Sequence, residues 1–141
     1  MNYQFERVVS SDDQIKRLYE LLNKRNHVIS HRSLPNFENH SYFVKNHPYL
    51  HWFLVSDDIN CFGSFYLTKS NSIGLNLTEY NKEIMVACVN FIRDNFKPQA
   101  AQPSIIPEYF YINLSCSNTE AVTVLQQLGL TPLQISLRLE I

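Results

Sequence analysis

The sequence predicts a mixed α/β domain, α+β in its order: one central mixed sheet with helices on both faces. Three observations lead there. Helical apolar stripes and short β-like apolar runs alternate along the chain, three of those runs follow one another closely over residues 50–77, and the segment 81–96 has a wide apolar helical face. A helix with so little polar surface packs against a sheet, and such elements form layers around one core.

The elements follow in order. Residues 5–9 read as a short first strand. Ser11 and Gln14 then form a capping box, in which each side chain serves the other's backbone amide at a helix start. Ile15, Leu18, Tyr19 and Leu22 follow at i, i+3, i+4 and i+7, one stripe of that helix. Residues 28–35 read as a loop. A second, shorter helix follows Asn36, with Phe37, His40, Phe43 and Val44 expected inward and Pro48 as its stop. Residues 50–55, 61–68 and 73–77 are three strands. Their turns are short, so an antiparallel meander is expected, with Gly63 as a possible bulge. The long helix of 81–96 comes next, with Ile84, Met85, Cys88, Val89, Phe91, Ile92 and Phe96 on its apolar face. Pro98, Pro103 and Pro107 mark 97–108 as an extended loop. A strand is expected over 109–116. A helix capped by Asn118 follows, with Ala121, Val124, Leu125 and Leu128 inward and Gly129 at its end. Leu133, Ile135, Leu137, Leu139 and Ile141 alternate with polar residues and read as a final half-buried strand.

Composition narrows the function classes. The 141 residues suit one domain, 1–141, with 45% hydrophobic and 18% charged residues. Aromatics are plentiful and the net charge is only −1, which argues against disorder and against a nucleic-acid partner. Cys61, Cys88 and Cys116 are three and far apart, neither a disulfide framework nor a zinc site. A cytoplasmic location fits. No signal peptide or membrane partner is expected, since no apolar run nears the roughly 18 residues needed to cross a bilayer. His27 with His31, and His47 with His51, are four apart. Neither pair lies on a helical pattern, so no metal is expected.

The element order, together with residues 111–121 (Tyr-Ile-Asn-Leu-Ser-Cys-Ser-Asn-Thr-Glu-Ala) and Leu128-Gly129-Leu130, resembles the GNAT superfamily of N-acetyltransferases. There, a strand leads into an Asn-opened helix and a Gly-Phe pair; here Leu130 stands in place of Phe. The resemblance implies a GNAT-like acyl-CoA N-acyltransferase fold in which strands 73–77 and 109–116 part. It implies acetyl-CoA as co-substrate, paired along Leu75, Asn76 and Leu77 and held by its pyrophosphate at the start of the long helix, around Lys82, Glu83, Ile84 and Met85. Asn113 and Asn118 are further coenzyme contacts by the same likeness. Residues 78–85 depart from the family: both loop glycines are absent and Glu83 brings negative charge. Leu125 stands where relatives often carry an acidic Tyr.

The implied chemistry is direct attack by a primary amine, on a small molecule or a peptide N-terminus, upon the acetyl thioester. It needs a base for the ammonium proton and a donor for the carbonyl. Glu79, just beyond the third meander strand, is the candidate base. Tyr111, Asn113 and Ser115 share one strand face, and Tyr111 and Ser115 are the further catalytic candidates. Arg32 and His40 are candidates for holding the acceptor. A homodimer is compatible with all of this. The other reading is a degenerate GNAT-fold binding or sensor module without catalysis.

Overall fold

In a computed structural model, residues 2–24 and 34–141 are described. The order is β1 (Gln4–Arg7), α1 (Asp12–Asn23), α2 (Phe37–Lys45), β2 (His51–Ser56), β3 (Cys61–Leu67), β4 (Ser72–Leu77), α3 (Lys82–Asn95), β5 (Tyr111–Asn113) and α4 (Thr119–Gln127). The five strands form one mixed sheet in chain order. β1 to β4 pair antiparallel, and β4 and β5 pair parallel. The parallel step is possible because α3 and its loop carry the chain back across the sheet.

Alternation along the strands divides the core between two faces. On β2, Phe53 and Val55 face one cluster with Phe65, Leu75, Ile84, Met85 and Leu125, so α3 and α4 cover that side. Trp52 and Leu54 face the other, with Ile15, Leu18, Leu21 and Val44 of α1 and α2. Helices thus lie on both faces, as the sequence implied.

Local chemistry explains the elements. The Ser11–Gln14 capping box forms, and the Gln14 amide also donates to Glu6 at 2.7 Å, tying α1 to β1. The β2–β3 register slips between Val55 and Ser56, leaving Phe62 unmatched. Gly63 lies there at φ +142°, where a Cβ would sit 2.1 Å from the Asn76 carbonyl oxygen.

Three expectations need correction. The strand foreseen over 109–116 shrinks to Tyr111–Asn113, because only Ser72, Ile73 and Gly74 lie opposite it. In α2, His40 and Val44 are buried, while Phe37 and Phe43 stay about half exposed and meet Tyr19 and Trp52 edge-on. Residues 133–141 form no strand: every one of them is exposed. The alternation there specifies a strand-compatible surface, but a strand also needs an edge to pair with, and none among the described residues lies beside it. Most of the loop foreseen at 28–35 lies outside the described residues.

Candidate functional site: the parting of β4 and β5

β4 and β5 run side by side only from Ser72↔Tyr111 to Gly74↔Asn113. β4 continues to Leu77, still paired with β3. Beyond Asn113 the chain bends into a serine-rich turn instead. The Ser115 carbonyl accepts from the Asn118 amide at 2.9 Å, and the Ser115 and Ser117 hydroxyls meet at 2.9 Å. Asn118, 2% exposed, then caps α4 by accepting from the Ala121 amide at 3.2 Å. The outer edge of Leu75–Leu77 is therefore left without a strand.

Tyr80 fills that place. Its hydroxyl accepts from the Leu77 amide and donates to the Leu75 carbonyl, each at 3.2 Å. One hydroxyl thus supplies the donor and the acceptor that a peptide group of a neighbouring strand would supply. The ring is 6% exposed and belongs to the α3-side core. The O–H···O distance is long, since such bonds run to about 3.0 Å, so the closure is a weak one.

The start of α3 is also engaged. Asn81 accepts from the Ile84 amide through its side chain and from the Met85 amide through its carbonyl, both at 3.1 Å. Ile84 and Met85 have buried side chains; Glu79, Lys82 and Glu83 are exposed. The Tyr3 phenol nearby has its pKa raised, first by burial and then by the charges of Glu83, Glu79 and Asp57. Of these, Glu79 and Glu83 are the carboxylates that flank the start of α3. Three features of the cleft in this state stand against a coenzyme A thioester. Tyr80 holds the β4 backbone groups, Asn81 holds two of the helix amides, and no glycine lies among residues 78–85.

The sequence-derived candidates separate into several places. Tyr111 and Ser115 are half-buried and Asn113 exposed, all on the β5 side of the parting; Glu79 lies on the β4–α3 side. Asn76 is half-buried and pairs with Ser64. His40 is 6% exposed between α1 and α2. Its Nε2 lies 3.0 Å from the Ile15 carbonyl and burial lowers its pKa, so packing accounts for it. Arg32, His27 and His31 lie outside the described residues. Among the described residues, no group of three or more His, Cys, Asp or Glu side chains could hold a metal ion. Cys88 is buried and its thiol is pushed up to about 12, an inert core residue.

Sequence reading missed two residues that shape the site. One is Tyr80, for which only its place three residues after Leu77 was a clue. The other is Asn71, fully buried at φ +71°. Its side chain donates to the Gln99 and Pro107 carbonyls at 3.1 and 2.9 Å and accepts from the Gln99 amide at 2.6 Å. Its carbonyl accepts from the Tyr111 amide at 3.1 Å, so Asn71 ties the proline-rich loop to the start of β5. An Asn in a turn between strands was the available signal, since Asn tolerates positive φ.

A second concavity, of about 440 Å³, lies on the opposite face between α1 and α2, walled by Ile15, Tyr19 and Phe37 and edged by Asp12, Lys16 and Glu20. Comparison with protein-family models, curated proteins and solved structures finds no match to this chain.

Proposed function

We propose that the chain is a GNAT-type scaffold that works as a binding module, its coenzyme groove closed by its own Tyr80. The observation that carries this reading is the Tyr80 hydroxyl bridging Leu77 and Leu75. The capping of α3 by Asn81 and the absence of glycine from residues 78–85 support it independently. Among the described residues, the α1–α2 concavity offers a surface for a ligand, and its 440 Å³ lies within the roughly 300–1,000 Å³ of small-molecule sites. Its apolar walls and mixed-charge rim suit an amphipathic ligand.

The acetyltransferase reading keeps one observation of its own. The strands part beside Leu75–Leu77, and the hydroxyl that closes the gap makes the same two bonds that one amide of a pantetheine arm would make. In that reading Tyr80 swings out, Glu79 serves as base, and Tyr111 and Ser115 line the acceptor side. Calorimetric titration with acetyl-CoA, with desulfo-CoA and ATP as controls, separates the two. The binding-module reading expects no heat at millimolar ligand. Micromolar, acetyl-CoA-selective binding would restore the enzyme reading.

A further inference from the structure

His51 of β2 sits where three elements meet. Its ring lies 4.3 Å from that of Phe96, the C-cap residue of α3. Its Nδ1 lies 3.1 Å from a guanidinium nitrogen of Arg7, the last residue of β1. The same guanidinium lies 4.7 Å over the ring of Phe53, which in turn meets Phe96 at 5.8 Å. Arg7 pairs with Phe53 in the β1–β2 register, and His51, two residues from Phe53, shares its sheet face. A guanidinium has only donors, so His51 accepts through Nδ1, and its ring is neutral with the proton on Nε2. The bond therefore depends on the charge of the ring.

We infer that His51 is a proton-operated latch: neutral, it fastens the Arg7 side chain of β1 beside the end of α3, and protonated, it releases it. An imidazolium has no acceptor to offer Arg7, and it would set two positive groups 3.1 Å apart. The groups around the ring do not offset that charge. The small cavity beside it takes Lys97 from the chain after α3, with the neutral Thr68 and Gln99, and no carboxylate lines it among the described residues. Leu67 lies opposite on β3. Glu6, next to Arg7, is bound to Gln14 and Arg17 instead. Burial, and then the Arg7 charge, lower the His51 pKa, so the latch stays closed at neutral pH and opens below the ordinary 6.5. The β1–β2 ladder and the bond from Gln14 to the Arg7 carbonyl at 2.9 Å keep the backbone in place. What opens is the side chain, which uncovers the Phe53 ring. The inference does not depend on whether the cleft admits a coenzyme.

An NMR titration of the full chain between about pH 8 and about pH 5, which spans the usual range of histidine, tests it. The expected result is a His51 pKa below 6.5. The Arg7 side-chain signals, displaced by the Phe53 ring, move to their solvent positions with that same midpoint. Arg7→Gln keeps a donor and removes the charge. Arg7 is exposed, so this variant is expected to fold as the wild type does and to move the His51 pKa up toward 6.5. His51→Gln keeps an acceptor that does not titrate, so the Arg7 signals should stay displaced across the whole range. Arg7 signals that ignore the His51 titration, or that still move in His51→Gln, would overturn the inference. So would a His51 pKa at or above 6.5, or one that Arg7→Gln leaves where it was.

Discussion

The cleft beside β4 and the segment 131–141 meet the same physical problem with opposite results. Each is a stretch of chain that a neighbouring strand could cover. At β4, the exposed edge of Leu75–Leu77 is satisfied from within, by a tyrosine three residues further on. At 131–141, five alternating apolar side chains are 58% to 116% exposed. The difference teaches that alternation and an available neighbour are separate conditions: β4 meets a substitute for its missing neighbour within three residues, and 133–141 meets none among the described residues.

Substitutions that act on both regions can break or sharpen this contrast. The largest effect is expected from Met85→Ala on α3, fully buried against the sheet, at about 2–5 kcal/mol of lost stability. Leu137→Ala, at an exposed position, should stay within about 0.5 kcal/mol. Urea unfolding of both variants checks the pair; a comparable loss at Leu137 would show that the segment packs on its own chain. Next in size is Tyr80→Phe. It keeps the ring and removes the hydroxyl, leaving the Leu77 amide and Leu75 carbonyl without that partner, at about 1–3 kcal/mol. No change would mean that water already serves those groups. Asn118→Ala should cost about 1 kcal/mol through loss of the α4 cap. Unchanged stability would show that the turn at Ser115 holds the helix start alone.

The smallest effect is one of pH. Burial lowers the pKa of His40 from its ordinary 6.5, and His47 and His51 shift the same way, also chiefly by burial. Below about 6.5 the unfolded chain takes up protons that the folded chain refuses, so stability falls as pH drops through that window. Glu6, lowered by its bonds from Gln14 and Arg17, extends the loss below its ordinary value of 4.5. Urea midpoints at about pH 7.5 and pH 5.5 should show the decline, and His40→Gln should flatten it. A midpoint that rises on acidification would contradict the burial of these rings.

Much of the fold was legible because its signals are local. The Ser11 box, the helix start after Asn36, the Asn118 cap, the stripes of α1 and α4 and the Gly63 bulge all stand within a few residues of what they specify. The length of β5 was not legible, since it depends on how far β4 lies alongside. Nor was the fate of 131–141: alternation states which face wants burial, not whether an edge is within reach. The site was less legible than the fold. Tyr80 acts through one hydroxyl aimed at backbone, and no periodicity marks such a contact. Asn71 gathers groups 28 and 36 residues away, a convergence that only tertiary structure displays.

The most direct measurement is the titration of acetyl-CoA into the wild-type chain and into Tyr80→Ala, side by side. If Tyr80 and the altered helix start together close the groove, the wild-type chain gives no binding at millimolar coenzyme. Opening the groove alone, in Tyr80→Ala, gives weak binding at best, because Asn81 and the carboxylates remain. Micromolar binding by the wild-type chain, unchanged or weakened by the substitution, would contradict closure and make Tyr80 part of a working coenzyme site.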